Sequence, residues 1–210
     1  MPLQNRVTPT GDLIADPARG LFLGNRGGRI HDPATRTLGR ARWASRTWIC
    51  CLLVFRERRR TVWGHSYTEL FFCDEPTALA AGHRPCVECR RRDAHAWRAA
   101  AAGVLGLGAV PLFPDMDRRL DAERRVGHSK RLHPMPAESL PDGAMIQRAD
   151  GVCLALQGGR ALPWSPAGYG MALPRPAGTV AVLTPPTNLA ALAGGYRPSW
   201  HPSAGTDPQS

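Results

Sequence analysis

Lysine is nearly absent from these 210 residues: Lys130 is the only one, so arginine carries almost all of the positive charge. Long apolar runs are absent too. No stretch approaches the ~20 residues of a membrane-crossing helix, and the polar opening from Met1 to Asp12 lacks the apolar core of a secretion signal. The expectation is a soluble, cytoplasmic chain with no membrane partner. In a reducing cytosol the six cysteines are expected as thiols or metal ligands rather than disulfides. Hydrolase signatures are missing, with neither a Ser-His-Asp order nor a Gly-x-Ser-x-Gly elbow. Gly24-Asn25-Arg26-Gly27-Gly28-Arg29 has no strong preceding strand and no Gly-Lys-Ser/Thr ending, which excludes a nucleotide-hydrolase loop. It reads as a basic surface turn or as a backbone amide nest against phosphate.

What is present is charge and punctuation. The net charge is +10 and 43% of residues are hydrophobic, so wholesale disorder is not expected. Glycine (22) and proline (20) point to short elements and many turns. Some arginine bias has an ordinary cause in a GC-rich genome. The charge nevertheless attracts polyanions, and guanidinium forks match phosphate. DNA is the expected partner, although charge alone does not select DNA over RNA. The contact candidates are Arg26, Arg29, Arg58, Arg59, Arg60, Arg84, Arg90, Arg91 and Arg131.

The pattern predicts an α+β chain, with a small antiparallel sheet and short helices followed by a β-rich module. Trp48 to Phe55 is the clearest strand, apolar on both faces and so expected buried on both. Thr61-Val62-Trp63 and Tyr67 to Phe72 are its expected partners, and the first forty residues read as irregular. Asp74-Glu75-Pro76 opens a helix that Gly82 ends. Further helices are expected over Arg90–Ala102, Asp117–Arg125 and Thr187–Ala193. Short strands should follow Leu140, divided by Pro141-Asp142-Gly143, Asp150-Gly151 and Gly158-Gly159. The proposed division is 1–112, then 113–203, then a tail over 204–210. Leu79 to Cys86 is echoed by Leu192 to Ser199, either as a decayed duplicate or as a common exit from a helix through glycine.

The most specific chemistry is Cys86-Val87-Glu88-Cys89. A Cys-x-x-Cys turn sets two thiolates on one side of a metal, half of a tetrahedral zinc site. A redox pair would normally open a helix in a βαβ unit, whereas here a helix and Arg84-Pro85 lead in. The nucleotide deaminases share Pro-Cys-x-x-Cys, but their His-x-Glu half is missing upstream, which excludes them.

Phe71-Phe72, the acidic helix start, Ala78-Leu79-Ala80-Ala81-Gly82 and His83-Arg84-Pro85-Cys86-x-x-Cys89-Arg90 resemble the metal-binding domain of the Ada DNA-repair proteins, closely over about 20 residues. The same knuckle is appended to some bacterial nucleases. The resemblance implies Zn2+ and two further ligands upstream. Cys50 and Cys51 lie in that stretch but are adjacent, so they point to opposite faces of a strand; Cys51 is preferred. The fourth ligand is open between His31, His65 and Cys73, with His31 beside Asp32 the first choice. The family's methyl-acceptor activity needs an exposed, activated cysteine and is not carried over to an apolar strand.

The resulting expectation is a zinc-containing DNA-binding protein in damage recognition or repair. The alternative is a DNA-acting enzyme. His128, Lys130 and His133 are then its candidate catalytic groups, with Asp115, Asp117, Asp121 and Glu123 either holding magnesium or pairing with the neighbouring arginines. Trp164 to Tyr169 is the loop best suited to stacking on bases.

Overall fold

A computed structural model of the chain describes residues 1–57 and 61–205; Arg58, Arg59 and Arg60 lie outside the described residues. The fold is mixed α+β. Among the described residues, no helix is long and apolar enough to cross a membrane.

The first sheet is built from β1 (Arg6–Val7), β2 (Leu13–Ile14), β3 (Phe22–Asn25), β6 (Ile49–Leu52), β7 (Leu70–Phe72) and β8 (Arg84–Pro85). Their order is β2-β1-β7-β3-β6-β8. The pairs β1–β7 and β6–β8 are parallel and the others antiparallel. A side hairpin joins β4 (His31–Asp32) to β5 (Thr37–Leu38). Three strands of this sheet come from the first forty residues, which read as irregular because segments of two to four residues carry no readable period. Central β3 contains Gly24, where a Cβ would lie 2.2 Å from the Ile49 carbonyl oxygen and 2.6 Å from the Phe72 ring. That glycine marks close packing inside a strand rather than a turn.

The long expected strand from Trp48 stops at Leu52, because its partner β3 begins in register there, Phe22 facing Leu52. Leu53 and Val54 are 48% and 77% exposed instead of buried. Thr61-Val62-Trp63 forms no strand. Trp63 takes a positive φ of 59° and buries its indole, which donates to the Glu69 carbonyl at 3.0 Å.

The helices are α1 (Glu75–Ala80), α2 (Arg91–Val104), α3 (Phe113–Arg124) and α4 (Pro186–Ala193). A small hairpin, β9 (Arg125–Val126) with β10 (Ser129–Lys130), leaves α3. The second sheet is antiparallel throughout. It contains β11 (His133–Pro136), β12 (Met145–Gln147), β13 (Cys153–Gln157), β14 (Arg160–Ser165), β15 (Gly168–Tyr169), β16 (Leu173–Pro174) and β17 (Thr179–Val182). Trp164 and Tyr169 face inward: Trp164 donates to the Thr77 hydroxyl and Tyr169 to the Asp74 carboxylate. They are not an exposed stacking loop.

Every residue of α1 is buried. Ala78 packs into the core of the first sheet, Leu79 into the core between helices α2, α3 and α4, and Ala80 into the core of the second sheet. A helix apolar all round is what such a position requires. Its two N-terminal acids hold the C-terminal segment. Asp74 caps the helix through the Thr77 amide and also accepts from the Tyr169 hydroxyl and the His201 amide. Glu75 pairs with Arg90 at 2.8 Å and accepts from the Tyr196 hydroxyl and the Ser199 amide. The echoed segments leave α1 and α4 alike, through Gly82 and Gly195 at positive φ, with His83 bonding back to Ala78 and Tyr196 to Ala191.

Removing one partner of a buried ion pair strands the other charge. Glu75→Ala should therefore cost about 3–5 kcal/mol in urea unfolding, and the double variant Glu75→Ala/Arg90→Met should recover part of that loss.

Candidate metal centre

Strand alternation settles which of the adjacent cysteines faces the knuckle. Cys50 points into the core and accepts from Arg90 at 3.6 Å. Cys51 points the other way and meets Cys86 and Cys89, the three sulfurs lying within 4.8 Å of one another. Tetrahedral zinc with Zn–S bonds of ~2.3 Å would set its sulfurs about 3.8 Å apart, so this soft donor set fits a thiophilic ion. The backbone explains the convergence. β8 pairs in parallel with β6, the Cys86 amide donates to the Cys50 carbonyl at 2.9 Å, and the turn closes with the Arg90 amide on the Cys86 carbonyl at 3.0 Å. The Leu52 amide donates to the Cys89 sulfur at 3.4 Å, support from outside the donor set of the kind that orients metal thiolates. Hydrogen bonds from Cys51 and Cys89 pull the Cys86 thiol down to about 2, while its own bonds to Cys86 and Cys89, with burial, push Cys51 far above the usual thiol range.

His31 is not the fourth ligand. Both its ring nitrogens are occupied, by the Thr68 hydroxyl at 2.6 Å and the Gly64 carbonyl at 2.8 Å, and its ring stacks on Trp63. Cys73 is buried and His65 exposed, both apart from the thiol group. Among the described residues no fourth donor joins the group, and the thiols face a cavity of about 310 Å³ walled by Ile49, Leu53, Phe55, Tyr67 and Phe71. Glu69 lies on that wall, buried, with Oε2 accepting from the Trp63 amide and Oε1 without a partner among the described residues. Nothing in the sequence singles out Glu69. Its place depends on the turn that folds Trp63 back over it.

Arg84 and Arg90 are not surface contacts for nucleic acid. Arg84 is buried in a two-pronged pair with Asp117, at 2.7 and 2.8 Å, which fastens the knuckle to α3. Arg90 is held by Glu75 and Asp93. Arg29, Arg91 and Arg131 are exposed. The candidate catalytic trio does not converge. His128 is exposed and packs on Trp43, the half-buried Lys130 donates to the Ala80 carbonyl, and His133 meets the Glu123 carbonyl at 2.9 Å. The nearby carboxylates are engaged by cations: Asp115 with Arg118, Asp117 with Arg84, Asp121 with Arg124 and Arg125, Glu123 with Arg119.

Lys130 and His128 do share a second cavity, of about 720 Å³, with Arg26, Arg42, Arg124 and Arg125. Burial, with Arg26 and Arg124 alongside, pulls the Lys130 amine down to about 7.

Two expectations follow from this geometry. Mass spectrometry of metal content should find one thiophilic ion per chain in the wild type, in Cys50→Ala and in His31→Ala, and none in Cys86→Ser. Between pH 7 and 10 the unfolded chain keeps a Lys130 proton that the folded chain releases, so this group makes stability rise with pH across that window. Lys130→Met should flatten the rise, measured as urea midpoints at pH 7 and pH 9.5. Compared with protein-family models, curated proteins and solved structures, the chain shows no match.

Proposed function

We propose that the chain is a zinc-containing DNA-binding protein acting in damage recognition or repair. The convergence of Cys51 with Cys86 and Cys89 carries this reading. Thiolates favour zinc over hard cations, and the spacing around the knuckle is the part of the chain that resembles the Ada metal-binding domain. Zinc bound here would tie β6 to the knuckle and so hold the strand order at that end of the sheet. The net charge of +10 supports a polyanionic partner, and exposed Arg29, Arg91 and Arg131 supply sequence-independent phosphate contacts.

A second reading, an enzyme acting on DNA, is favoured by one observation. Among the described residues three thiols converge rather than four, and they face a cavity that also holds the unpaired Glu69 oxygen. Three protein ligands and one open position is the pattern of catalytic zinc, which supplies an activated water when bound. Glu69 would then hold or release the proton. His128, Lys130 and His133 are not carried forward as its catalytic groups.

The test is fluorescence anisotropy with labelled duplexes, intact and damaged, at 50 and 200 mM salt. About four phosphate contacts would weaken binding roughly a hundredfold over that range. Absence of binding at 50 mM sinks the DNA reading. Product formation from a damaged duplex, lost in Glu69→Gln with metal and binding retained, would favour the enzyme.

A further inference from the structure

The second cavity carries more positive charge than the fold neutralises. Arg26, Arg40, Arg42, Arg124, Arg125 and Lys130 line it, and Asp12 is the one carboxylate on its described wall. Arg26 is 2% exposed, yet its donors reach only neutral acceptors: the Gly11 carbonyl at 2.7 Å, the Arg42 carbonyl at 3.3 Å and the His83 ring at 3.5 Å. Lys130 reaches only the Ala80 carbonyl. Among the described residues neither has a carboxylate within ion-pair distance. Arg124 has Asp121, but its Nε is buried with no partner among the described residues. Burial and the cationic neighbours hold His83 neutral.

A buried cation without a counter-ion, as Arg26 is, is costly. Two of these guanidiniums moreover lie against one indole, Arg26 at 4.0 Å and Arg124 at 3.9 Å from the Trp48 ring centre. Burial and Arg124 pull the Arg26 guanidinium down to about 9. Such a cluster is stabilised by an anion that enters from solvent. The aromatic groups narrow its chemistry. Trp48 is covered by Arg26 and Arg124, and Trp43 by Arg125 and His128. The indoles therefore serve as platforms that hold the cations and are not free to stack on bases. Recognition falls on an oxyanion, and the planar two-pronged donors suit phosphate.

We propose that this cavity is a phosphate-binding pocket in which Arg26, Arg124 and Lys130 take the phosphate oxygens, with Arg42 at the mouth. The volume of about 720 Å³ admits a phosphate with its attached sugar. The pocket deepens the DNA reading by naming the group gripped, but it stands on its own observations. Two sources share this chemistry, a terminal phosphomonoester and a backbone phosphodiester.

The experiment uses the full metal-loaded chain and three probes: inorganic phosphate, 5′-phosphorylated thymidine dinucleotide and the same dinucleotide without the terminal phosphate. Saturable binding by calorimetry is expected for at least one. Binding of the first two alone assigns a monoester, and equal binding of both dinucleotides a diester. Lys130 is the only lysine, so its acetylation at pH 7, followed by peptide mass spectrometry on the wild type, should slow when the bound probe is present. Arg42→Glu lies on an exposed side chain and should weaken the probe about tenfold or more, with unchanged circular dichroism and metal content. No saturable binding by any probe, or binding that leaves Lys130 acetylation and the Arg42→Glu affinity unchanged, overturns the pocket. Duplex binding that persists in that case leaves the DNA reading standing, so the two failures are distinguishable.

Discussion

The structure depends on a buried ion pair at the start of a six-residue helix. Glu75 and Arg90 are both almost wholly shielded from water, and such charges are tolerated only when every oxygen and donor is satisfied. Here they are. Glu75 gathers Arg90, the Tyr196 hydroxyl and the Ser199 amide, while Asp74 beside it gathers Thr77, Tyr169 and the His201 amide. Two consecutive acids at the positive end of α1 thus hold the knuckle-side helix, the second sheet and the C-terminal segment together. The favourable field of a helix N-terminus lowers the cost of placing them there.

The same pair explains why the thiols can sit where they do. Arg90 directly follows Cys89 and is anchored by Glu75 and Asp93, so the C-terminal end of the knuckle is fixed. Arg84, just before Cys86, is anchored by Asp117 of α3. The knuckle is clamped at both ends by buried arginines, and its two cysteines meet Cys51 of β6. Arginines that read from sequence as contacts for a polyanion are here the fasteners of the three-thiol group. A planar guanidinium meeting a carboxylate with two parallel bonds resists rotation in a way that lysine cannot.

That reversal shows what the sequence could and could not tell. The helix start at Asp74, the glycine exit at Gly82 and the choice of Cys51 over Cys50 were legible, because each rests on a local rule: capping chemistry, the left-handed glycine, alternation along a strand. The first three strands were not legible, being too short for periodicity, and β1 and β3 are completed by β7 and β6 far along the chain. Which arginines are buried was illegible for a related reason. Arg84 and Arg29 look alike until α3 brings Asp117 to one and nothing comparable to the other. His31 failed as a ligand because Trp63, expected to extend in a strand, folds back through a left-handed residue and stacks on it.

Alternation along one short segment also separates the two cavities. Ile49 and Cys51 line the thiol cavity, whereas Trp48 lines the basic one and Cys50 enters the core. Successive side chains of a strand take opposite faces, so the cavities belong to opposite sides of the first sheet, although Trp48 and Cys51 are only about 10 Å apart along the backbone. Under the proposed function, a polymer gripped at the basic cavity would reach the thiols only by passing around an edge of the sheet. The nearer edge is β8, and the knuckle clamped by Arg84 and Arg90 occupies it. Grip and metal are therefore better assigned to separate contacts than to one continuous groove. Strengthening the basic grip need not disturb the thiols, because β6 between them is held on both edges by the ladders to β3 and β8.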